Sequence, residues 1–436
     1  MIQVTGLPAD DGDCGWWHLS GPGNGYPRIS DDLYCDYAVV GAGWTGLAAA
    51  RRLADRQPDA RIVVIDAGSV GYGAAGRNSG FLYDLPFVFS ADAYRGREED
   101  GREEISLYRT AIDEMRSVVH AGKVDCDWSE IGQYHVAADR QGERELAIIE
   151  AGLRDLGETF STLGEGETRA ALGTDYYRRA IHTPGTVQVN PLALLRAFAS
   201  AMPQNVELYE RSPVTEVTGG AQPRIVTAAG TITAKAVLLT TNAFLRSFSG
   251  LRPRLLPMMT FAGLTRPLGE GGMPTPAGES RWGVVPAALF GTSMRRLADG
   301  RILVRNTYAY SKDFQASRRL RARAIQRQLL SIRRRFPEVR EPQLEWSWGG
   351  VVSIFRGANG CFGEVAPNIF AAVSSGMPTS ILYGQQLAEY AVGGGGEALA
   401  FVLRRSQPKR LPPEPVVGLV AKAAAALRQR RAWNEI

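Results

Sequence analysis

An α/β (α+β) fold is predicted for this 436-residue chain, with one domain assembled from discontinuous segments and a second, β-rich domain inserted between them. Three observations predict it. A β-α-β pattern lies near the N-terminus, strand-like segments dominate the middle, and a strand and helix return at about residues 368–392. The length also exceeds what one hydrophobic core usually holds.

Taken in order, residues 1–35 read as an irregular leader rich in Gly, Pro and Asp, with Trp16 and Trp17 expected to pack on the body. "YAVVG" reads as a buried strand, "TGLAAARRLADRQ" as a helix ended by Pro58, and "RIVVID" as a second strand. "EEISLYRTAIDEMRSVVHAG" has helical spacing and stops at Gly122; "IGQYHVAAD" is a strand, followed by a helix from about Gly142 to Leu156. In "GTVQVNPLALLRAFASAMP", Asn190 can cap a helix, and Pro191 suits its first position because an N–H there would have no intrahelical partner. "VELYERSPVTEV", "PRIVTAAGTITAKAVLLTT" and "GRILVRNTYAY" read as strands, and "GGGG" at 393–396 ends the last helix of the body. The expected division is a leader 1–35, a first domain of 36–90, 185–245 and 350–396, a second of 91–184 and 246–349, and a basic C-terminal tail or helix 397–436.

The net charge of +5 comes from arginine, which supplies 45 of the 50 basic residues. In "SRRLRARAIQRQLLSIRRRF", Leu320, Ala324, Ile325, Leu329 and Ile332 recur at helical spacing, so the arginines are expected on the opposite, solvated face. Nucleic acid is the alternative partner for this run and for the tail. Cys14, Cys35, Cys126 and Cys361 form no C-x-x-C pair, and the four histidines have no zinc-binding spacing, so neither metal nor disulfide framework is implied. No apolar run approaches the roughly 20 residues of a membrane span, and the N-terminus does not read as a signal peptide; a cytoplasmic location is expected.

Gly41, Gly43 and Gly46 form G-x-G-x-x-G between a strand and a helix. The first glycine permits the turn, the second lets backbone approach a pyrophosphate, and the third lets helix pack on strand. Asp66 ends the second strand twenty residues beyond Gly46, where a carboxylate can bond ribose hydroxyls. A dinucleotide site follows, with FAD and NAD both open; no second such unit occurs, which points to one dinucleotide.

The next stretch, "DAGSVGYGAAGRNSGF", resembles the flavin-approach loop of FAD-dependent oxidoreductases of the D-amino-acid oxidase (DAO) superfamily, most closely the gamma-glutamylputrescine oxidoreductase group. "PGTVQVNPLALLRAFA", "AKAVLLTTNAF", "WSWGGVVS" and "PNIFAAVSSGMPTSILYGQQLAEYAVGG" agree in order, so the likeness covers about residues 14–396. It implies an FAD-binding Rossmann-like domain plus a mixed β-sheet substrate domain. The turn formed by Gly41, Gly43, Trp44, Thr45 and Gly46 would face the pyrophosphate, and Asp66 and Ala67 the adenosine ribose. Gly73, Ala74, Arg77, Asn78, Ser79 and Gly80 would border flavin and pyrophosphate, with Val214 on the adenine side and Thr241 as a further contact. Ser375, Gly376, Met377, Pro378 and Thr379 would form a loop near the isoalloxazine, where the chain departs from the family's Ser-Gly-His-Gly and is stiffened by proline. Cys361 reads as a plain thiol, so FAD is expected without a covalent tether.

The implied reaction is oxidation of a C–N bond in an amine, gamma-glutamyl-amine or N-substituted amino acid to an imine that hydrolyses, with electrons passing to O2 or a carrier. Phe81, Tyr308, Tyr310 and Trp348 are candidates for an aromatic cage around the amine, and Arg356 for a carboxylate clamp. No catalytic acid or base is assigned. An NAD-linked dehydrogenase of a small polar substrate and a basic nucleic-acid-binding protein stay open as alternatives.

Overall fold

The computed structural model describes residues 1–8, 12–86, 98–251, 254–269 and 277–436, so the expected boundary at 90–91 lies outside the described residues. Among the described residues, four sheets organise the fold. The first is six-stranded and carries the nucleotide-type topology: Val206–Tyr209, Ile62–Ile65, Tyr37–Val40, Ala236–Leu239, Ile369–Ser374 and Gly360–Ala366 lie side by side. All its pairings are parallel except the last.

Four-residue runs such as "IVVI" are wholly buried because both sheet faces are covered. Val39, Ile62, Val64 and Leu238 point into a core with the helices Trp44–Arg56, Pro191–Ser200 and Met377–Ala391. Ala38, Val40, Val63, Val237 and Leu239 point the other way, into a core with Val217, Ile225 and Ile232 of a five-stranded sheet. A third, two-stranded ribbon pairs Phe81–Leu82 with Val187–Gln188. Asn190 caps its helix as expected, its side chain accepting from Leu192 and Ala193 N–H with Pro191 in the first turn.

The fourth sheet has nine strands, with Leu344–Phe355, Leu255–Thr265, Ile302–Tyr310, Ser293–Arg296, Trp282–Pro286 and Gln133–Ala137 adjacent in that order. Strand Leu344–Phe355 runs unbroken through residue 350, the place where a domain boundary is expected.

Three expectations need correction. The leader is not irregular throughout, since Ile2–Gln3 pairs with Val217 and Glu216, and Gly12–Asp13 with Trp348 and Ser347. Two-residue strands are created by their partners and leave no local periodicity. The helix Arg318–Arg335 forms, but Arg335 on it is 1% exposed, donating to Tyr177 Oη and to the Glu435 carbonyl, so its arginines do not all face solvent. The basic tail is two helices, Glu397–Arg405 and Val416–Arg431, and the second packs on strand Ile302–Tyr310.

Glu435 and Ile436, in the chain's last turn, are buried, whereas Trp433 beside them is exposed. Glu435 is 1% exposed; its Oε1 accepts from Ala138 N–H at 2.9 Å, and its Oε2 has no partner. Burial pushes its acid up to about 7, against the pull of Ala138 N–H and Arg335 and with a further push from Asp139. The folded state thus keeps a proton that the unfolded chain loses near its ordinary value of 4.5. This contribution to stability is full below that value and is lost as pH rises through 7. Glu435→Gln is therefore expected to gain stability relative to the parent from pH 5 to pH 8, by at most on the order of 3 kcal/mol. Paired urea titrations across that range check it; a difference independent of pH would refute the assignment.

Candidate functional site

A large cavity, ≈ 1070 Å³, runs between the six-stranded and nine-stranded sheets. Its lining contains Gly41, Gly43, Trp44, Thr45, Asp66, Ala67, Gly73, Ala74, Arg77, Asn78, Ser79, Val214 and Thr241, and all of Ser375 to Thr379. Gly46 and Gly80 stand just behind it.

The glycines have measurable reasons. Gly41 has φ +111°, and a Cβ on it would lie 2.8 Å from the Thr240 carbonyl oxygen. A Cβ on Gly46 would lie 1.8 Å from the Gly41 oxygen, which no neighbour can yield to. Gly43 begins the helix Trp44–Arg56 without a side-chain cap, so first-turn N–H groups are left for whatever fills the cavity. Asp66 Oδ2 accepts from Ala42 N–H and Oδ1 from Gly68 N–H, both at 2.8 Å, and burial raises its acid to about 6. The carboxylate therefore ties the glycine turn to the loop that follows it.

That loop is riveted by its own side chains. Asn78 donates to the Ala75 carbonyl and accepts from Gly80 N–H, each at 2.8 Å. Arg77 is buried, donates to the carbonyls of Tyr72 and Gly349, and stacks 4.6 Å from the Trp17 ring centroid. The indoles of Trp16 and Trp348 donate to the carbonyls of Asn78 and Arg77. The leader tryptophans thus pack on the body as expected, and they brace this loop.

Residues 377–379 are the first turn of the helix Met377–Ala391, not the loop expected; Pro378 fits there because that turn's N–H groups lack intrahelical acceptors. Gly376, at φ +105°, precedes the helix, again with no side-chain cap. Helices Trp44–Arg56 and Met377–Ala391 cross closely at Gly384, where a Cβ would sit 2.2 Å from the Thr45 oxygen. Two uncapped helix N-termini consequently open on one cavity, giving it positive potential from backbone alone.

At the other end Phe81 and Tyr83 stack at 5.4 Å and, with His135, Ser293, Arg305, Tyr308 and Phe290, line the cavity. Tyr308 and Phe290 pack at a tilt with centroids 4.3 Å apart, and the Arg305 guanidinium lies 5.2 Å from the Tyr308 centroid. Arg305 donates to Ser293 Oγ at 3.0 Å, and no carboxylate among the described residues pairs with it; burial lowers its pKa. Burial also pushes Tyr83 up to about 12 and, with nearby His182, His135 down to about 4, so both are neutral at pH 7.

A model of the family of FAD-dependent oxidoreductases designated DAO matches residues 36–390. The chain belongs to that family. FAD is the dinucleotide of this DAO oxidoreductase, and the NAD-linked alternative falls. The chain is 28% identical to a probable oxidoreductase OrdL of Rhizobium meliloti over 387 residues, 85% of this chain and 86% of that one. It is 28% identical to the gamma-glutamylputrescine oxidoreductase of Escherichia coli over 229 residues, about half of each chain. The crystal structure of glycine oxidase from Geobacillus kaustophilus superposes with a TM-score of 0.70 at 20% identity, covering 87% of this chain and 100% of that one, which shows the shared fold.

The cavity of this DAO enzyme fits FAD on its own evidence. Thr241 Oγ1, on the lining, is buried without a partner, and the two uncapped helix ends suit an anionic cofactor. Cys361 is not on the lining, and burial raises its thiol to about 11. Of the substrate-side candidates, Phe81, Tyr308 and Trp348 line the cavity, although Trp348 is 2% exposed and committed to Arg77. Tyr310 does not line it and bonds Glu414 instead. Arg356 is exposed and off the lining, since its strand ends at Phe355.

Arg305, Tyr83 and His135 escaped the sequence reading. Tyr83 follows Phe81 by two residues, a same-face signal that was available. Arg305 was hidden: strict alternation puts it opposite Tyr308, but Thr307 is an extra residue at φ +60° in the pairing with Thr260 and Phe261, and this bulge turns both side chains to the cavity.

Proposed function

We propose that this DAO enzyme oxidises the C–N bond of an amino acid or N-substituted amino acid, with Arg305 binding the substrate carboxylate. The observation that carries the reading is a half-buried, desolvated guanidinium, stacked on Tyr308 and lacking an acidic partner among the described residues, in a cavity shared with an FAD-type glycine turn. An unpaired buried charge is costly, and a carboxylate ligand offsets that cost with two parallel hydrogen bonds.

Cofactor contacts follow the glycine turn: first-turn amides of Trp44–Arg56 hold the pyrophosphate, Asp66 the ribose, Val214 the adenine side, and residues 73–80 and Thr241 the remainder, without a covalent tether. Bound FAD supplies a two-electron acceptor. The N-terminal amides of Met377–Ala391, Pro378 excepted, would be available to hold the anionic form of the cofactor. Tyr83 is protonated at pH 7, and His135, neutral there, places no second cation beside the substrate amine. The substrate carbon would give its hydride to the bound FAD and the nitrogen its proton to solvent; water then adds to the imine and releases a carbonyl compound and ammonia or an amine.

Incubation in air with amino acids, N-alkyl amino acids and gamma-glutamyl amines tests this. A carbonyl product with stoichiometric amine release is expected, and peroxide formation identifies oxygen as the acceptor. Turnover confined to hydroxy acids would reject the reading.

A further inference from the structure

Helix Val416–Arg431 lies beyond residue 390, where the match to the family ends, and yet it roofs the cavity: Arg428, Arg431 and Ala432 are on the lining. Its position is firmly set. The Gln429 side-chain amide accepts from Tyr308 N–H at 3.2 Å and donates to the Tyr308 carbonyl at 2.9 Å, in the manner of a neighbouring strand. Arg327 also donates to Gln429 Oε1 at 2.6 Å, and Arg334 and Arg335 donate to the carbonyls of Trp433, Ile436 and Glu435.

With Gln429 anchored, the exposed Arg428 reaches the cavity rim, its guanidinium 5.4 Å from the Phe290 centroid. Phe290 packs at a tilt on Tyr308, and Tyr308 carries Arg305. Two guanidinium groups thus stand at the ends of a two-ring aromatic ladder, one deep and one at the mouth. No carboxylate among the described residues pairs with Arg428 or Arg431. Glu145 is the carboxylate that shares the mouth, and it too has no ion pair there.

We propose that the substrate carries a second anionic group, a carboxylate remote from the oxidised C–N bond, bound by Arg428 and Arg431 at the cavity mouth. The inference rests on Arg305 holding the first carboxylate, and it narrows the substrate class to dicarboxylic amino compounds. The C-terminal helix is then a specificity element of this chain outside the family's common body.

The test uses the purified holoenzyme, its Arg428→Gln/Arg431→Gln form, and paired substrates with and without a terminal carboxylate on chains of increasing length. The parent is expected to favour the diacid by tenfold or more in kcat/KM, mainly through KM, and the double variant to lose that preference through a raised KM for the diacid. Tryptophan-fluorescence titration with unreactive dicarboxylates should weaken in parallel. Equal use of mono- and diacids by the parent, or a diacid preference that survives the double substitution, overturns the proposal. Because either result still shows amine oxidation, it leaves the reaction itself standing; absence of turnover with every amine would instead remove both.

Discussion

Arg305→Leu lowers kcat/KM for a carboxylate-bearing amine by roughly 10²- to 10³-fold, the expected loss for a bidentate charge-assisted pair worth about 3–4 kcal/mol in a buried site. The flavin stays bound, because Arg305 lies at the end of the cavity away from the glycine turn and bonds Ser293 within the nine-stranded sheet. Thermal stability does not fall with activity: the leucine removes a desolvated guanidinium that has no acidic partner among the described residues. Arg305→Lys recovers part of the loss, since lysine keeps the charge and lacks the planar fork. Activity, flavin content and melting temperature of the two variants separate a clamp from a structural arginine. Unchanged kcat/KM in Arg305→Leu would exclude the clamp.

The second large effect comes from a residue far from any substrate. Gly384→Val places a branched side chain where a single Cβ already meets the Thr45 oxygen at 2.2 Å, the Ala48 Cβ at 2.9 Å and the Ala49 nitrogen at 3.0 Å. Backbone cannot yield there, so helices Trp44–Arg56 and Met377–Ala391 must separate. Overpacking of this kind costs about 1–3 kcal/mol or more. The functional cost is larger, because the first turns of both helices line the cavity and lose their common geometry. FAD affinity is expected to fall by at least tenfold, read as the ratio of flavin to protein absorbance after gel filtration, with a lower melting temperature. A variant that retains full FAD would show that the crossing does not set the cofactor site.

Local chemistry made much of this molecule readable in advance. The buried strands around Gly41 and the Asn190–Pro191 helix start follow from residues within a few positions of one another. What escaped depends on distant partners. The leader strands exist because Val217 and Trp348 present free edges to them. Arg356 drew notice through its type, and it lies in an exposed turn one residue past its strand. Arg305 reaches the cavity only through the bulge at Thr307. The roofing role of Arg428 depends on Gln429 finding Tyr308 across 121 residues. Patterns of period two or 3.6 record which face a residue takes, and they are silent on which cavity that face will line.

The most direct measurement is anaerobic reduction of the purified flavoprotein by three matched compounds: an amino acid, the same molecule without its carboxylate, and the corresponding hydroxy acid. Rapid loss of flavin absorbance with the amino acid, loss slowed by roughly 10²-fold or more with the decarboxylated amine, and none with the hydroxy acid is the result expected for C–N oxidation with a carboxylate clamp at Arg305. Reduction by the hydroxy acid alone, or equal rates with and without the carboxylate, would contradict it.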